Sequence, residues 1–284
     1  MPATVHEWTL SGADNQPIHG NTHLPDEASR PRGVLILCHG FKGYKDYGFF
    51  PRLAQHAADA GLIAHRFNFS HSGMTNRLDI FERPDLFEHD TFSRQVHDLR
   101  TVDRAVRSGD LPGSRDVPIV WFGHSRGGIT VLITAGSGET TTTAPAGVIA
   151  ASAPHLACHL DDAQQRLIKK LGRLPSPSSR TGQELHVGRA WLDEIEADPA
   201  RFDPVLAAAR LPCPALFVHG DADLTVPVEA SRILSDAAGP RGQLEIISGA
   251  SHTFDAPNPL PADTPLPAAT RRMIELVCGF ARQF

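Results

Sequence analysis

The stretch IVWFGHSRGGIT, residues 119–130, sets Ser125 between glycines at 123 and 127. An apolar, strand-like run leads into the serine and a helix-like run follows it. A serine hydroxyl is a weak nucleophile until a neighbouring base takes its proton. G-x-S-x-G between a strand and a helix, the nucleophile elbow, holds such a serine at a sharp turn, where the residues two away on each side must be small. Gly123 and Gly127 meet that need. The start of the following helix adds a positive dipole and free N–H groups. The chemistry this predicts is attack of Ser125 on an acyl carbon.

Such a serine needs a base and a group to orient the base, in the chain order Ser, then Asp or Glu, then His. PALFVHGDADLTVP reads as a buried strand ending in a polar loop, with Asp221 and Asp223 just beyond the strand. LEIISGASHTFD is the next strand, with His252 in the loop after it. An aspartate before a helix also serves as an N-cap, and the chain carries 15 histidines, so neither signal is specific alone. Together they place one required group at the carboxyl end of each of two consecutive strands. His252 is the expected base and Asp223 the expected orienting acid, with Asp221 as its rival.

A tetrahedral intermediate also needs donors for its oxyanion, each worth about 3 kcal/mol in the transition state. LILCHGFKGYK puts His39-Gly40-Phe41 directly after an apolar strand, where a glycine allows a backbone turn that aims the Phe41 N–H at the site. The Arg126 N–H, first in the helix after the elbow, is the expected second donor. The aromatic residues nearby (Phe41, Tyr44, Tyr47, Phe49, Phe50) suit either an acyl pocket or packing under the first helix.

The elements that must position these groups alternate along the chain. TVHEWTL and PIHGNTHL read as an antiparallel pair around the turn-rich SGADNQ. GVLILC, LIAHRFNF, PIVWFG, AGVIAASA, PALFVHG and QLEIIS read as further strands, separated by helical stretches that begin at FFPRLAQHAADAG and end at the C-terminus. This predicts an α/β fold: a mostly parallel, twisted sheet of about eight strands with helices on both faces. One domain over 1–284 is expected. The rhythm breaks only at about 155–208, far longer than an ordinary connection. That insertion holds an amphipathic stretch (Leu156, Leu160, Leu167, Ile168, Leu171), the turn region LPSPSSR and a second helical stretch around Trp191, Leu192 and Ile195. It is expected to form a helical cap or lid. The threonines at 140–143 read as a surface loop.

Composition excludes several functions. With 27 basic and 32 acidic residues and a net charge of −5, the chain shows no basic stripe, which argues against nucleic acid or a membrane as partner. Four widely spaced cysteines form neither a zinc pattern nor a disulfide framework. No metal or organic cofactor is called for. The first residues lack the pattern of a signal peptide and no apolar run reaches bilayer length, so a cytoplasmic location is expected.

The motifs HGFKG, GHSRGG, HGDADLTVP and GASHTF occur in the order and spacing of the α/β-hydrolase superfamily, and the chain resembles its members over nearly its whole length. With FNFSHSGMT, it is most similar to serine esterases of the dienelactone-hydrolase-like and feruloyl (cinnamoyl) esterase-like groups. The resemblance implies that the aspartate of H-G-x-x-D-x-x-V-P is the acid, which is Asp223, and that the insertion shapes the acyl pocket. It departs from true dienelactone hydrolases, which carry cysteine where this chain has Ser125, and from haloalkane dehalogenases and epoxide hydrolases, which carry aspartate. The expected function is hydrolysis of a small-molecule carboxylic ester through an acyl-enzyme. The alternatives are a peptidase using the same residues, with Asp193, Glu194 or Glu196 binding a substrate amine, and a non-catalytic binding protein on the same fold.

Overall fold

The computed structural model describes residues 4–26, 30–113, 116–138 and 143–284. The chain opens with β1 (Thr4–Ser11) and β2 (Pro17–Leu24), the predicted antiparallel pair, in register from Thr4 opposite Leu24 to Ser11 opposite Pro17. There follow β3 (Gly33–Cys38), α1 (Phe50–Asp59), β4 (Leu62–Phe67), α2 (Pro84–Glu88), α3 (Phe92–Ser108), β5 (Ile119–His124), α4 (Arg126–Ala135) and β6 (Gly147–Ala151). The insertion holds α5 (Asp162–Leu171), β7 (Arg173–Pro175), β8 (His186–Gly188), α6 (Ala190–Ala197) and α7 (Pro204–Ala209). The chain closes with β9 (Ala215–Gly220), α8 (Glu229–Ala238), β10 (Gly242–Ile247) and α9 (Ala268–Ala281).

Eight strands form one sheet in the order β1-β2-β4-β3-β5-β6-β9-β10. β2 pairs antiparallel with both β1 and β4, and every other neighbour is parallel. The inner parallel strands β3, β4, β5, β6 and β9 are buried throughout, which is why they read as mainly apolar runs rather than alternating ones, whereas the edge strand β10 is partly exposed. Side chains leave a strand alternately to either face. Val34, Ile36 and Cys38 of β3 therefore join the core under α3, α4 and α8, with Val102, Leu132 and Leu234. Leu35 and Leu37 join the other core, with Leu53 of α1 and Val277 of α9. Two apolar cores back the central strands, so their carboxyl ends are held firmly.

Helix ends follow local chemistry. The Thr91 side chain caps α3 by accepting from the Arg94 N–H, and Gly109 ends it at φ 87°. The stripe Val96, Leu99, Val102 and Val106 on one side of α3 is buried. Asp161 and Gln164 form a capping box at the start of α5, and Gly172 ends that helix at φ 80°. The two N–H groups of Val205 and Leu206 cap onto Asp203 to start α7.

The insertion differs from its expected form. The stretch 156–171 is helical only from Asp162, and of its five apolar residues Ile168 alone is buried while Leu156, Leu167 and Leu171 are exposed. β7 and β8 make a small antiparallel pair around 176–185, too short for period-two alternation to be read. The five-residue α2 has the same excuse. α7 packs on α4 so closely that a Cβ on Gly136 would come 2.2 Å from the Ala207 carbonyl oxygen. Of the threonine cluster, 140–142 lie outside the described residues and Thr143 is exposed. Among the described residues, no helix is long and apolar enough to cross a membrane.

Candidate active site

Ser125 sits between β5 and α4 at φ 54°, ψ −122°, a conformation that L residues adopt only at a cost. Its N–H donates to the Ala151 carbonyl of β6 at 2.8 Å and its own carbonyl accepts from the Gly128 N–H at 2.8 Å, which hold the turn from both sides. A Cβ on Gly123 would lie 2.1 Å from the Gly127 carbonyl oxygen. A Cβ on Gly127 would instead meet the Cys38 and His39 carbonyls at 2.5 Å, so that glycine is required by the end of β3 rather than by the turn itself. Gly40 has no unusual φ; a Cβ there would come 3.0 Å from Ser125 Cβ and 3.1 Å from the His124 carbonyl. It is small because the loop after β3 crosses directly over the serine.

Asp223 and His252 are brought together. His252 Nδ1 donates to Asp223 Oδ2 at 2.7 Å. The other oxygen, Oδ1, accepts from the Thr225 and Val226 N–H groups at 2.8 and 2.9 Å. Burial raises the Asp223 pKa, but hydrogen bonds from His219, His252 and Val226 outweigh it and hold the carboxyl well below the usual carboxylate range. It is a fixed anion. Asp221, the rival, is exposed and accepts from the Gly249 N–H, tying down the turn after β10.

Two histidines that the sequence does not mark as part of the site complete this arrangement. His219, fully buried in β9, has two acceptors at Nε2 (Asp223 Oδ2 at 3.1 Å, Val226 O at 2.9 Å), so Nε2 carries its proton and Nδ1 accepts from the Ser231 hydroxyl at 2.7 Å. His124, buried beside Ser125, donates from Nε2 to the His252 carbonyl at 2.8 Å, with the two rings 4.9 Å apart. Burial lowers its pKa to about 3, helped by the His252 charge, so it stays neutral. His39 is fixed similarly: Nε2 accepts from the Phe69 N–H at 3.2 Å, which leaves Nδ1–H to donate to the Gly40 carbonyl at 2.9 Å.

Ser125, His252, His124 and Phe41 line one cavity of about 240 Å³. His252 spends Nδ1 on Asp223 and its backbone carbonyl on His124, while its Nε2 makes no hydrogen bond among the described residues and Ser125 lines the same cavity. Catalytic hydrogen bonds are often long before substrate arrives. Arg126 opens α4, and its N–H is one of the donors that a helix start leaves without an intrahelical partner. Its guanidinium lies among three rings, 4.6 Å from Phe92, 5.6 Å from Trp191 and 5.9 Å from Phe41. Of the five aromatic residues near β3, Phe49 and Phe50 stack on each other in the core, and Phe50, Tyr47 and Phe41 also reach the cavity. Pro177, Ser178, Ser179 and Arg180 of the insertion close one side. A larger cavity, about 350 Å³, lies at Val96, Ile133 and Phe202 and touches none of the predicted site residues.

A mostly parallel sheet with helices on both faces, a strained serine between a strand and a helix, and an aspartate–histidine pair beyond β9 and β10 define a hydrolase of the α/β class. The chain belongs to the alpha/beta hydrolase family, whose model it matches over residues 35–264. It is 26% identical to a monoacylglycerol lipase of Mycolicibacterium smegmatis (strain ATCC 700084 / mc(2)155) over 291 residues, covering 90% of this chain and 94% of the relative. Among solved structures it is similar to Est1E from Butyrivibrio proteoclasticus with ferulic acid bound (TM-score 0.69, 18% identity, 98% and 97% of the two chains). The esterase domain of a Rhodothermus marinus protein is a further match (TM-score 0.66, 18% identity, 99% and 98%).

Proposed function

We propose that this protein is a serine hydrolase of small carboxylic esters working through an acyl-enzyme. The observation that carries this reading is the Asp223–His252 hydrogen bond at 2.7 Å with His252 and Ser125 on one cavity. In the proposed reaction His252 Nε2 takes the Ser125 proton as Oγ attacks the ester carbonyl. Asp223 holds the imidazole in the tautomer that leaves Nε2 free and stabilises the imidazolium. The Phe41 and Arg126 N–H groups receive the oxyanion. Collapse expels the alcohol, which takes the proton from His252, and water releases the acid by the same steps in reverse. The insertion at 155–208 serves as the cap over the acyl pocket.

Ester cleavage is also the activity named for the relatives above. The acids that a peptidase would need for a substrate amine are occupied elsewhere. Asp193 pairs with Arg189, Glu196 pairs with Lys169, and Glu194 accepts from the N–H groups of Phe92 and Ser93. None of the three lines the cavity.

The test is fluorophosphonate labelling and turnover of short p-nitrophenyl esters by the wild type and by Ser125→Ala. Labelling should vanish in the variant and kcat should fall on the order of 10⁴–10⁶-fold. Undiminished turnover would remove Ser125 from its role, and a wild type that never labels would favour a non-catalytic binding protein.

A further inference from the structure

The cavity over Ser125 is lined by two cations, Lys42 and Arg180, and by no carboxylate among the described residues. Lys42 directly follows Phe41, at φ 57°, and spends one N–H on the Pro177 carbonyl at 2.8 Å. The Arg180 guanidinium lies over the Tyr44 ring at 4.7 Å and the Phe81 ring at 5.2 Å, and is held in plane by the Leu78 carbonyl and by Met74 Sδ at 3.4 Å. Neither cation has a carboxylate within ion-pair distance among the described residues, whereas the neighbouring Lys45, Arg66, Arg77 and Arg83 all do. Asp79 feels the Arg180 charge, but Arg77 occupies both its oxygens.

This lining runs against the sign of the whole molecule, whose net charge is −5. A cleft of one sign with low-dielectric walls draws a ligand of the other. Both cations are partly withdrawn from water, and burial lowers the Lys42 pKa with no anion to offset it. An uncharged ester would leave them so. A planar guanidinium that keeps free N–H groups is shaped for a carboxylate, and Phe41, Tyr47 and Phe50 offer apolar wall on the way from Ser125. A volume of about 240 Å³ sits just below the usual range for ligand pockets, so the molecule is small.

We infer that the ester cleaved at Ser125 carries a carboxylate, placed away from the scissile bond and bound by Arg180 and Lys42, an inference that rests on the esterase reading above. The experiment compares matched pairs at low and high ionic strength. Monomethyl adipate against methyl hexanoate puts the charge on the acyl side, and 3-acetoxybenzoate against 3-methylphenyl acetate puts it on the alcohol side. At low salt kcat/KM for the charged member of at least one pair should exceed its neutral twin by about tenfold or more, and the margin should shrink with salt. Arg180→Gln and Lys42→Gln should each lower the charged-to-neutral ratio about fivefold or more. The pair that responds tells which side of the ester bears the carboxylate. Neutral twins cleaved as well as charged ones in both pairs, or a margin untouched by either variant, would overturn the inference. Should a variant fail to fold, the salt dependence of the wild-type ratio decides. If Ser125 labels and p-nitrophenyl butyrate turns over while both charged esters lag, this inference alone falls. If nothing labels or turns over, the esterase reading falls and takes this one with it.

Discussion

His219 Nε2 lies 3.1 Å from Asp223 Oδ2, the same oxygen that receives the His252 Nδ1–H at 2.7 Å. One carboxylate oxygen thus faces two imidazoles, one sealed in the core by Ser231 and the other at the cavity. On the proposed reading His219 is a positioning residue: it pins Asp223, and Asp223 aims His252. Replacing it with Phe removes one hydrogen bond of the charge-assisted kind, worth about 1.5–3 kcal/mol. The expected result is a kcat lower by about tenfold or more with KM little moved. Gln, which keeps a donor, should recover part of the loss. Equal kcat in the wild type and both variants would show that the loop after β9 holds Asp223 unaided.

Ser125 holds its place at a price in backbone strain. A non-glycine residue at φ 54°, ψ −122° costs about 1–3 kcal/mol. Ser125→Gly relieves that strain, offset by about 0.5–1 kcal/mol from the freer unfolded chain. The variant should therefore be inactive yet melt higher than the wild type, by about 2 °C for a chain of this size. A lower melting temperature would mean that the elbow is not strained.

Much of this was legible before any coordinates. β3, β5 and β9 are six-residue runs buried throughout, and a strand covered on both faces can be recognised by unbroken apolarity. Ser125 was legible because it follows directly on such a strand, and His252 because it lies in the loop just beyond the next strand after β9. Asp221 and Asp223 were not separable from the residues alone, since both lie past the end of β9; resemblance chose between them, and the structure sends their oxygens to different partners. His219 and His124 were overlooked for a different reason. Histidine within a strand carries no periodic signal, and its value here lies in contacts 4 and 128 residues away in the chain. The available hint was the recurrence of histidine beside glycine at 39–40, 123–124 and 219–220. The smallness of Gly40 answers to Ser125 beneath it, a tertiary contact that the sequence does not show.

That distinction between glycines is testable. A methyl on Gly123 would strike main chain at 2.1 Å, where nothing can yield, so Gly123→Ala should lose about 3 kcal/mol or more and express poorly. On Gly40 the closest approaches are 3.0 and 3.1 Å, which small shifts can absorb. Gly40→Ala should fold within about 1–2 kcal/mol of the wild type. Its cost should fall on kcat, because the yielding atoms are Ser125 Cβ and the main chain around it. Circular dichroism melts and p-nitrophenyl butyrate kinetics on both variants separate the two effects. Full activity in Gly40→Ala would contradict the close crossing of the loop.

The fold should also be sensitive to mild acid. His23, His39, His65 and His71 have pKa values lowered to about 4, and His124 to about 3, in each case chiefly by burial. An unfolded histidine takes its proton near pH 6.5. Between that pH and about 4 the unfolded chain binds more protons than the native one, so stability present above pH 7 is lost as pH falls, by about 1.4 kcal/mol per unit for each group. Asp90 and Asp98 oppose this. Burial raises their pKa values to about 6 and about 7, so each gains stability as pH falls towards 4. Five groups against two leave a net loss of about 4 kcal/mol per unit, large beside a total stability of about 5–15 kcal/mol. Melting temperature should fall by about 10 °C or more between pH 7 and 5. His65→Gln, which cannot titrate, should flatten the slope by about a third. A melting temperature constant across that range would mean that these histidines are protonated in the native protein.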